Sequence, residues 1–425
     1  MNSRDLLTEN ILSLSLLQML NYAAPLITVP YLVRTLEPAQ FGLLSFAQSI
    51  ALYLRMLTDY GFGLSATRAI AANRRSAPNI ARIFWIITFS KAILVSASAL
   101  LLLVAVTFIP KLHHTPSIFA ASFLYVIGAV AFPIWLFQGL EAMKISAAAF
   151  GIARLISIPS LFLFVQRPQD CVKAAAIQAG VESLAGFIGI MLLWKRFRIR
   201  YYRPSLLDIV NAFREGWPLF LSGSAFSLSN SSATAILGFF ASPAQVGYYS
   251  AAEKFIKAAI AVLNPMNQAL YPHVTAKKSE SPHLALALIR RSLLATTAMA
   301  ALVSIAIFFF AHGLCRFVLG PHFFASALAL RYMAPLPLLS GLMSVLGTQT
   351  MVVFGMDKLL STIMLSAAAF GIPVTALLSR LFGVVGAALS SLLVALFIVA
   401  FMMVALRARG FTVWQSQCCE IAPST

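Results

Sequence analysis

Charge is what this sequence has least of. Only 10% of its 425 residues are charged, and the acidic ones number 13, where an ordinary soluble domain carries about 25% charged residues. So low a share excludes a water-soluble enzyme of this length and a disordered polar chain. Cysteine is scarce too. Cys171, Cys315, Cys418 and Cys419 show no metal-ligand or redox spacing, so no metal site is expected. The phosphate-cradling GxxxxGK[ST] loop, the zinc motif HExxH and the nucleophile elbow GxSxG are all missing. The six histidines are scattered near loops. Hydrolytic chemistry, a bound cofactor and intrinsic ATPase activity are therefore not expected, and the chain is read as a non-enzyme. Nor do alternating segments of about 10 residues dominate, which argues against a membrane β-barrel.

What remains is apolar. Hydrophobic residues make up 60% of the chain, and long apolar runs recur, the pattern of a helical integral membrane protein. Candidate spans lie at about 10–34, 40–66, 80–109, 117–140, 145–165, 172–194, 212–240, 246–272, 285–310, 324–354, 358–379 and 383–406. The start, "MNSRDLLTEN", has mixed charge and flows into a run too long for a signal peptide, so the first helix is expected to be retained. The formal net charge of +18 has its explanation in basic cytoplasmic loops rather than in nucleic acid.

Twelve spans put both termini on one side. Arg68, Arg74, Arg75 and Arg82 cluster in one loop on that side; Lys195, Arg196, Arg198, Arg200, Arg203 and Arg214 in a second; Lys277, Lys278, Arg290 and Arg291 in a third. The opposite connections carry only scattered cations. The positive-inside rule then places both termini in the cytoplasm.

The phrase "PAQFGLLSFA" at 38–47 returns as "PAQVGYYSAA" at 243–252, with six of ten positions identical. Each copy starts a short turn into the next helix, after the first and the seventh span. The chain is thus expected to hold two six-helix lobes of like orientation, related by an axis along the membrane normal, at 1–205 with the polar connection and 206–425. A weaker echo, "SAAAFGI", occurs at 146–152 and 366–372.

"LNYAAPLITVPYLVRTLEPAQFGLLSFAQSI" and "LTDYGFGLSATRAIA" resemble the N-terminal signature of Wzx-type O-antigen and polysaccharide flippases. "YYSAAEKFIKAAIAVLNPMNQALYPHV" resembles the eighth-helix region of that family, and "FQGLEAMK" and "VFGMDKLLS" look like its short cytoplasmic turns. The resemblance implies the superfamily that includes the MATE exporters and lipid II flippases, with two lobes enclosing a central, cationic cavity. It implies movement of undecaprenyl-diphosphate-linked oligosaccharide across the bacterial inner membrane, among membrane lipids, with a polysaccharide polymerase and a chain-length regulator as partners.

Eight charges are assigned to the spans rather than to the connections or span ends: Arg55, Asp59, Lys91, Arg154, Glu182, Glu253, Lys254 and Lys257. Each costs about 2.5–3.5 kcal/mol on insertion scales, so a partner or a wet cavity is expected at each. Arg55 with Asp59, and Glu253 with Lys257, are four apart and share a helix face, which suits ion pairs. Lys91, Arg154, Lys254 and Glu182 have no opposite charge within a turn on their own face. They are read either as structural charges, by snorkelling of Lys91 or an interhelical pair between Arg154 and Glu182, or as groups facing a lumen where cations attract a diphosphate. The candidate substrate-binding set is Lys91, Arg154, Lys254, Lys257 and Arg55. Asp59, Glu182 and Glu253 are the candidates for coupling a proton or sodium ion. Asn21 and Pro25 are the hinge candidates, among the span prolines Pro30, Pro133, Pro159, Pro265, Pro335, Pro337 and Pro373. Ser224, Ser227, Ser231 and Thr234 form a polar stripe on the seventh span, read as a small-residue helix contact or a hydroxyl wall for a glycan. Two other readings stand beside the flippase: an ion-coupled multidrug exporter of the MATE type on the same fold, and a membrane enzyme of the same pathway, which would need a large polar loop that is missing here.

Overall fold

The structure is a computed structural model. It describes the backbone over residues 3–197 and 199–410, and side chains over the same stretches except 3–23, 196–197, 222, 225–226, 229–231, 264–269, 272, 279 and 282. The fold is all helical, with no strand among the described residues. In chain order the helices are α1 (Ser3–Asp59), α2 (Phe62–Ala72), α3 (Ala77–Phe108), α4 (Pro110–His113), α5 (Pro116–Ala131), α6 (Ile134–Gly139), α7 (Met143–Phe164) and α8 (Cys171–Phe197). There follow α9 (Leu206–Phe240), α10 (Pro243–Glu280), α11 (Pro282–Leu314), α12 (Ser326–Met333), α13 (Leu336–Met343) and α14 (Asp357–Ala408).

Two of these are each two spans in one. At 57 residues, α1 would run about 85 Å as a straight rod, against a hydrocarbon core of about 30 Å. It breaks at Glu37, whose φ is 59°. That left-handed conformation is costly for a non-glycine residue, and Pro38 behind it disfavours a helical predecessor. Pro25 and Pro30 leave the helical dihedrals of α1 intact, so the break in α1 sits at Glu37 rather than at Pro25. Asn21 falls among the side chains outside those described. α14 breaks at Gly383, with φ 55°, and folds back: a Cβ on Gly371 would lie 2.9 Å from Val394 across the two arms.

Among the described residues eight helical segments are long and apolar enough to span a membrane, including the two that break. Dividing those two and adding α9 and α10, which have spanning length but polar interiors, is consistent with about twelve spans. Three expected spans are interrupted. The second ends at Asp59, where Tyr60 and Gly61 take φ values of 40° and 75° before α2. The fourth splits at Pro133 between α5 and α6. The tenth passes through α12 and α13, with Pro335 and Pro337 at the start of α13, into a π-helical stretch at Ser344–Val352.

Large apolar side chains of α3, including Leu100, Leu103 and Phe108, are more than half exposed. In water so continuous a patch would drive association; on a spanning helix it is the face that meets lipid tails. The protein is thus a multi-span helical membrane protein.

The chain forms two compact units, Met1–Ser224 and Ala225–Thr425. The first has a core of Phe62, Ile70, Phe132, Trp135, Leu136 and Phe137; the second is centred on Met351, Ala367, Ile398 and Met402. The repeated phrase occupies equivalent places. Phe41, Gly42, Leu44, Ser45, Phe46 and Ala47 are buried, as are Val246, Gly247, Tyr249, Ser250, Ala251 and Ala252, while Leu43 and Tyr248 are half-buried in both. Ser242 caps the second copy by accepting from the Gln245 amide, with Pro243 at the first helical position.

The polar connection is pinned to the first unit. Ser205 and Asp208 form a reciprocal capping box at the start of α9: the Ser205 amide and hydroxyl donate to Asp208 at 3.1 and 2.9 Å, and the Asp208 amide donates to Ser205 Oγ at 3.1 Å. Arg82 reaches the same carboxylate at 2.6 Å, and Trp85 Nε1 donates to the Arg200 carbonyl at 3.1 Å. The Arg82 hydrogen bond, aided by those of Ser205 and Tyr202, holds the Asp208 carboxyl well below the usual carboxylate range. With the folded value lowered, the clamp contributes fully above an ordinary carboxylate value of about 3.9 and is lost as pH falls through the lowered one. Asp208→Asn should reproduce that loss at neutral pH. The expected result is faster trypsin cleavage after Arg200, which Tyr201 follows, in detergent-solubilised protein; an unchanged cleavage rate would show that the clamp does not hold the connection.

Candidate functional site

The intramembrane charges of the first unit converge. Arg55 and Asp59 lie on the last two turns of α1, Lys91 in α3, Tyr125 in α5, Arg154 in α7 and Glu182 in α8. Arg55 bridges the group. Its Nε lies 3.4 Å from Asp59, its Nη1 lies 3.4 Å from Glu182 and also donates to the Tyr125 hydroxyl, and its guanidinium sits 4.9 Å from the Tyr125 ring centre. Asp59 in turn accepts from Lys91 Nζ at 3.0 Å. The expected same-face pair of Arg55 and Asp59 is present, and Lys91, with no opposite charge on its own face, pairs across helices rather than snorkelling or standing unpaired. Its partner is on another helix, which spacing along α3 cannot reveal, and the pairing lets a lysine only 4% exposed remain in an apolar segment.

Glycine makes the convergence possible. A Cβ on Gly128 of α5 would fall 2.2 Å from the Ser183 amide nitrogen and 2.4 Å from the Glu182 carbonyl carbon. A Cβ on Gly186 would fall 2.9 Å from Ala131. Backbones that close let the Ser183 hydroxyl donate to the Leu124 carbonyl at 3.0 Å. Tyr125 of α5 and Glu182 of α8 are thereby brought to the same guanidinium.

The charges do not balance. Among the described residues Arg55, Lys91 and Arg154 face only Asp59 and Glu182. Arg154 makes no ion pair within 4 Å among the described residues, and its Nε is buried without a hydrogen-bond partner. The interhelical pair considered for Arg154 and Glu182 is not formed: Arg55 takes Glu182 instead. A formal excess of one positive charge thus sits in this cluster of five.

In the second unit Glu253 anchors a smaller cluster on α10. Lys257 lies 2.8 Å from it, the same-face pair expected from spacing, and the Thr234 hydroxyl of α9 donates to it at 2.5 Å. Part of the polar stripe of α9 therefore joins it to α10. Ser224 is buried without a partner for its hydroxyl, Ser227 is half-buried, and the Ser231 side chain lies outside those described. Lys254, next in the chain, is half-buried.

Two members of the site escape a search for charge. Tyr125 is one, an aromatic indistinguishable from core by spacing. The other is the pair Gln48 and Gln178, joined at 2.6 Å. The repeat held a signal for it: Gln48 directly follows the first copy, as Glu253 directly follows the second. The same helix position thus carries the interhelical polar contact in each unit. Among the described residues no cluster of histidine, cysteine and carboxylate side chains could hold a metal ion.

Comparison with known proteins gives these features a context. The family described as "Polysaccharide biosynthesis protein" matches residues 7–278. A protein of Escherichia coli (strain K12) named "Putative O-antigen transporter" is 32% identical over 408 residues, 96% of this chain and 98% of that protein. Among solved structures, the inward closed conformation of the lipid II flippase MurJ superposes with a TM-score of 0.71 at 11% identity, covering 94% of this chain and 87% of that one. An inward-facing MATE family multidrug resistance transporter of the MOP superfamily gives 0.64 at 16% identity, covering 94% and 98%. At such identities the structures speak for the fold alone. A span order, an internal repeat and a buried ionic cluster read from the residues thus meet a family match across most of the chain, which belongs to the polysaccharide biosynthesis protein family and has the fold shared by MurJ and the MATE transporters.

Proposed function

We propose that this protein flips undecaprenyl-diphosphate-linked oligosaccharide repeat units across the bacterial inner membrane by alternating access, supplying O-antigen or related polysaccharide synthesis. The observation that carries the reading is the uncompensated positive charge within the spans, with Arg154 Nε buried and unpartnered. A cation within the spans is costly without a partner; Arg154 is half-buried, and a diphosphate passing through would supply the missing negative charge through charge-assisted hydrogen bonds. Arg55, Lys91 and Arg154 are the proposed head-group cations of the first unit, and Lys254 and Lys257 those of the second. Asp59, Glu182 and Glu253 are the carboxylates on which a proton or sodium ion would act. Arg55, Lys91 and Lys257 already pair with them, so neutralising a carboxylate frees a cation. Asn21 and Pro25 are the proposed hinge on the first span, lobes at 1–205 and 206–425 the moving parts, and a polymerase and a chain-length regulator the partners that take up the cargo.

A charge-assisted contact is worth about 1.5–3 kcal/mol, hence about one to two decades in affinity. In a strain lacking its own copy of the gene, Arg154→Gln and Lys254→Gln should therefore lower surface glycan and leave lipid-linked glycan in the cytoplasmic leaflet. Lys254→Arg should retain transport, while Arg154→Lys retains it only if no bidentate contact is used. Full surface glycan at low expression from normally inserted Gln variants would rule these residues out.

Both termini are proposed to be cytoplasmic. In a background without native cysteines, a cysteine at Ser117, which is exposed, should react with impermeant thiol reagents in intact cells, and one at Ser76 should not. Labelling at Ser76 would reverse the orientation.

A further inference from the structure

The polar column of the first unit continues beyond Tyr125. Gln48, Ser122 and Gln178 precede Arg55, Tyr125 and Glu182 by seven, three and four residues, so each stands one or two turns along the same helix face. With Tyr125 they line a partly open cavity of about 270 Å³. The rest of its wall is small and apolar: Ala51, Leu52, Ala175 and Ala179. Ser122 is 2% exposed, and its hydroxyl has no hydrogen-bond partner.

The lining selects among occupants. No carboxylate lines it, and Arg55 stands behind Tyr125, so a metal cation is disfavoured. No cation lines it directly, so an anion is not held there. Water fills a partly open cavity of this kind, and a ligand that reproduces its few hydrogen bonds to the wall can displace it. A pyranose ring suits the wall: its hydroxyl or acetamido edge meets the amides and the unpartnered serine, and its C–H face meets alanine. The volume lies just under the range of about 300–1,000 Å³ for drug-sized ligands, which fits one ring rather than an oligosaccharide. Seven residues of helix separate Gln48 from Arg55 by about 10 Å, the reach of a sugar attached directly to the diphosphate.

We propose that this cavity receives the first, uncharged sugar of the cargo, and so sets which glycan the protein accepts. The proposal rests on the lipid-linked glycan reading above, and the test separates the two. Binding to the purified full-length protein in nanodiscs is measured for farnesyl diphosphate, and for farnesyl diphosphates bearing glucose, galactose or N-acetylglucosamine. At least one sugar-bearing probe should bind about tenfold more tightly than the bare one. Ala179→Leu, which fills the cavity, and Gln178→Leu, which removes its amide, should each bring that preference to within about twofold and leave bare farnesyl diphosphate binding unchanged. Melting and elution profiles identify a variant that fails to fold, in which case the other decides. If wild type binds all four probes equally, or if a folded variant keeps the preference, the cavity is not a sugar site while the lipid-diphosphate reading stands. If no probe binds, both fall.

Discussion

Gly128→Val should abolish folded protein. The β-carbon of any other residue would lie 2.2 Å from the Ser183 amide nitrogen and 2.4 Å from the Glu182 carbonyl carbon. These are backbone atoms and cannot swing aside, so α5 and α8 must separate. Inserting extra bulk into a packed core costs about 1–3 kcal/mol where side chains can yield, and here they cannot, so the loss should exceed that range. Separation also pulls Tyr125 from Glu182 and opens the ionic cluster. Detergent-solubilised Gly128→Val should elute as aggregate and fail to restore surface glycan. Gly180→Ala on the same α8 is the control: nothing lies within 4 Å of its added methyl group, and a helix interior gains about 0.5–1 kcal/mol from alanine over glycine. Equal elution profiles for the two variants would show that the crossing of α5 and α8 is not the constraint.

Arg55→Gln is expected to have the next largest effect. Arg55 touches Asp59, Glu182 and Tyr125, and its removal strands Glu182 and takes one of two partners from Asp59. Breaking a buried pair from one side costs about 3–5 kcal/mol. The cost falls mainly on Glu182, whose side chain is 16% exposed, because Asp59 is 45% exposed and keeps Lys91. The variant should melt at markedly lower temperature and lose transport. Adding Glu182→Gln removes the stranded charge, so the double variant should recover stability with a coupling of about 0.5–3 kcal/mol, but not transport. A double variant that melts at the sum of the two single losses would show that Arg55 and Glu182 do not interact in the folded protein.

Two such variants draw on different kinds of information. The same-face pairs Arg55–Asp59 and Glu253–Lys257 were legible because helical geometry alone brings residues four apart together. The partners of Lys91 and Glu182 were not, since they lie on other helices and no periodicity along one span encodes them. Gln48 was half-legible, through its place after the repeated phrase.

The sequence by itself determined that the chain is helical and lives in a membrane, because few charges and long apolar runs leave the bilayer as the only solvent that accepts them. It also determined the doubled architecture, because the repeated phrase needs the same buried faces in each unit, and they are found. Only the tertiary structure decided where the charges meet. Glycine contacts between α5 and α8 set the approach of the helices, that approach gives Glu182 to Arg55 rather than to Arg154, and Arg154 is left as the cation whose Nε is buried without a partner. The reason is physical: composition and period are properties of one helix, whereas ion pairing within the membrane is set by the distance between two.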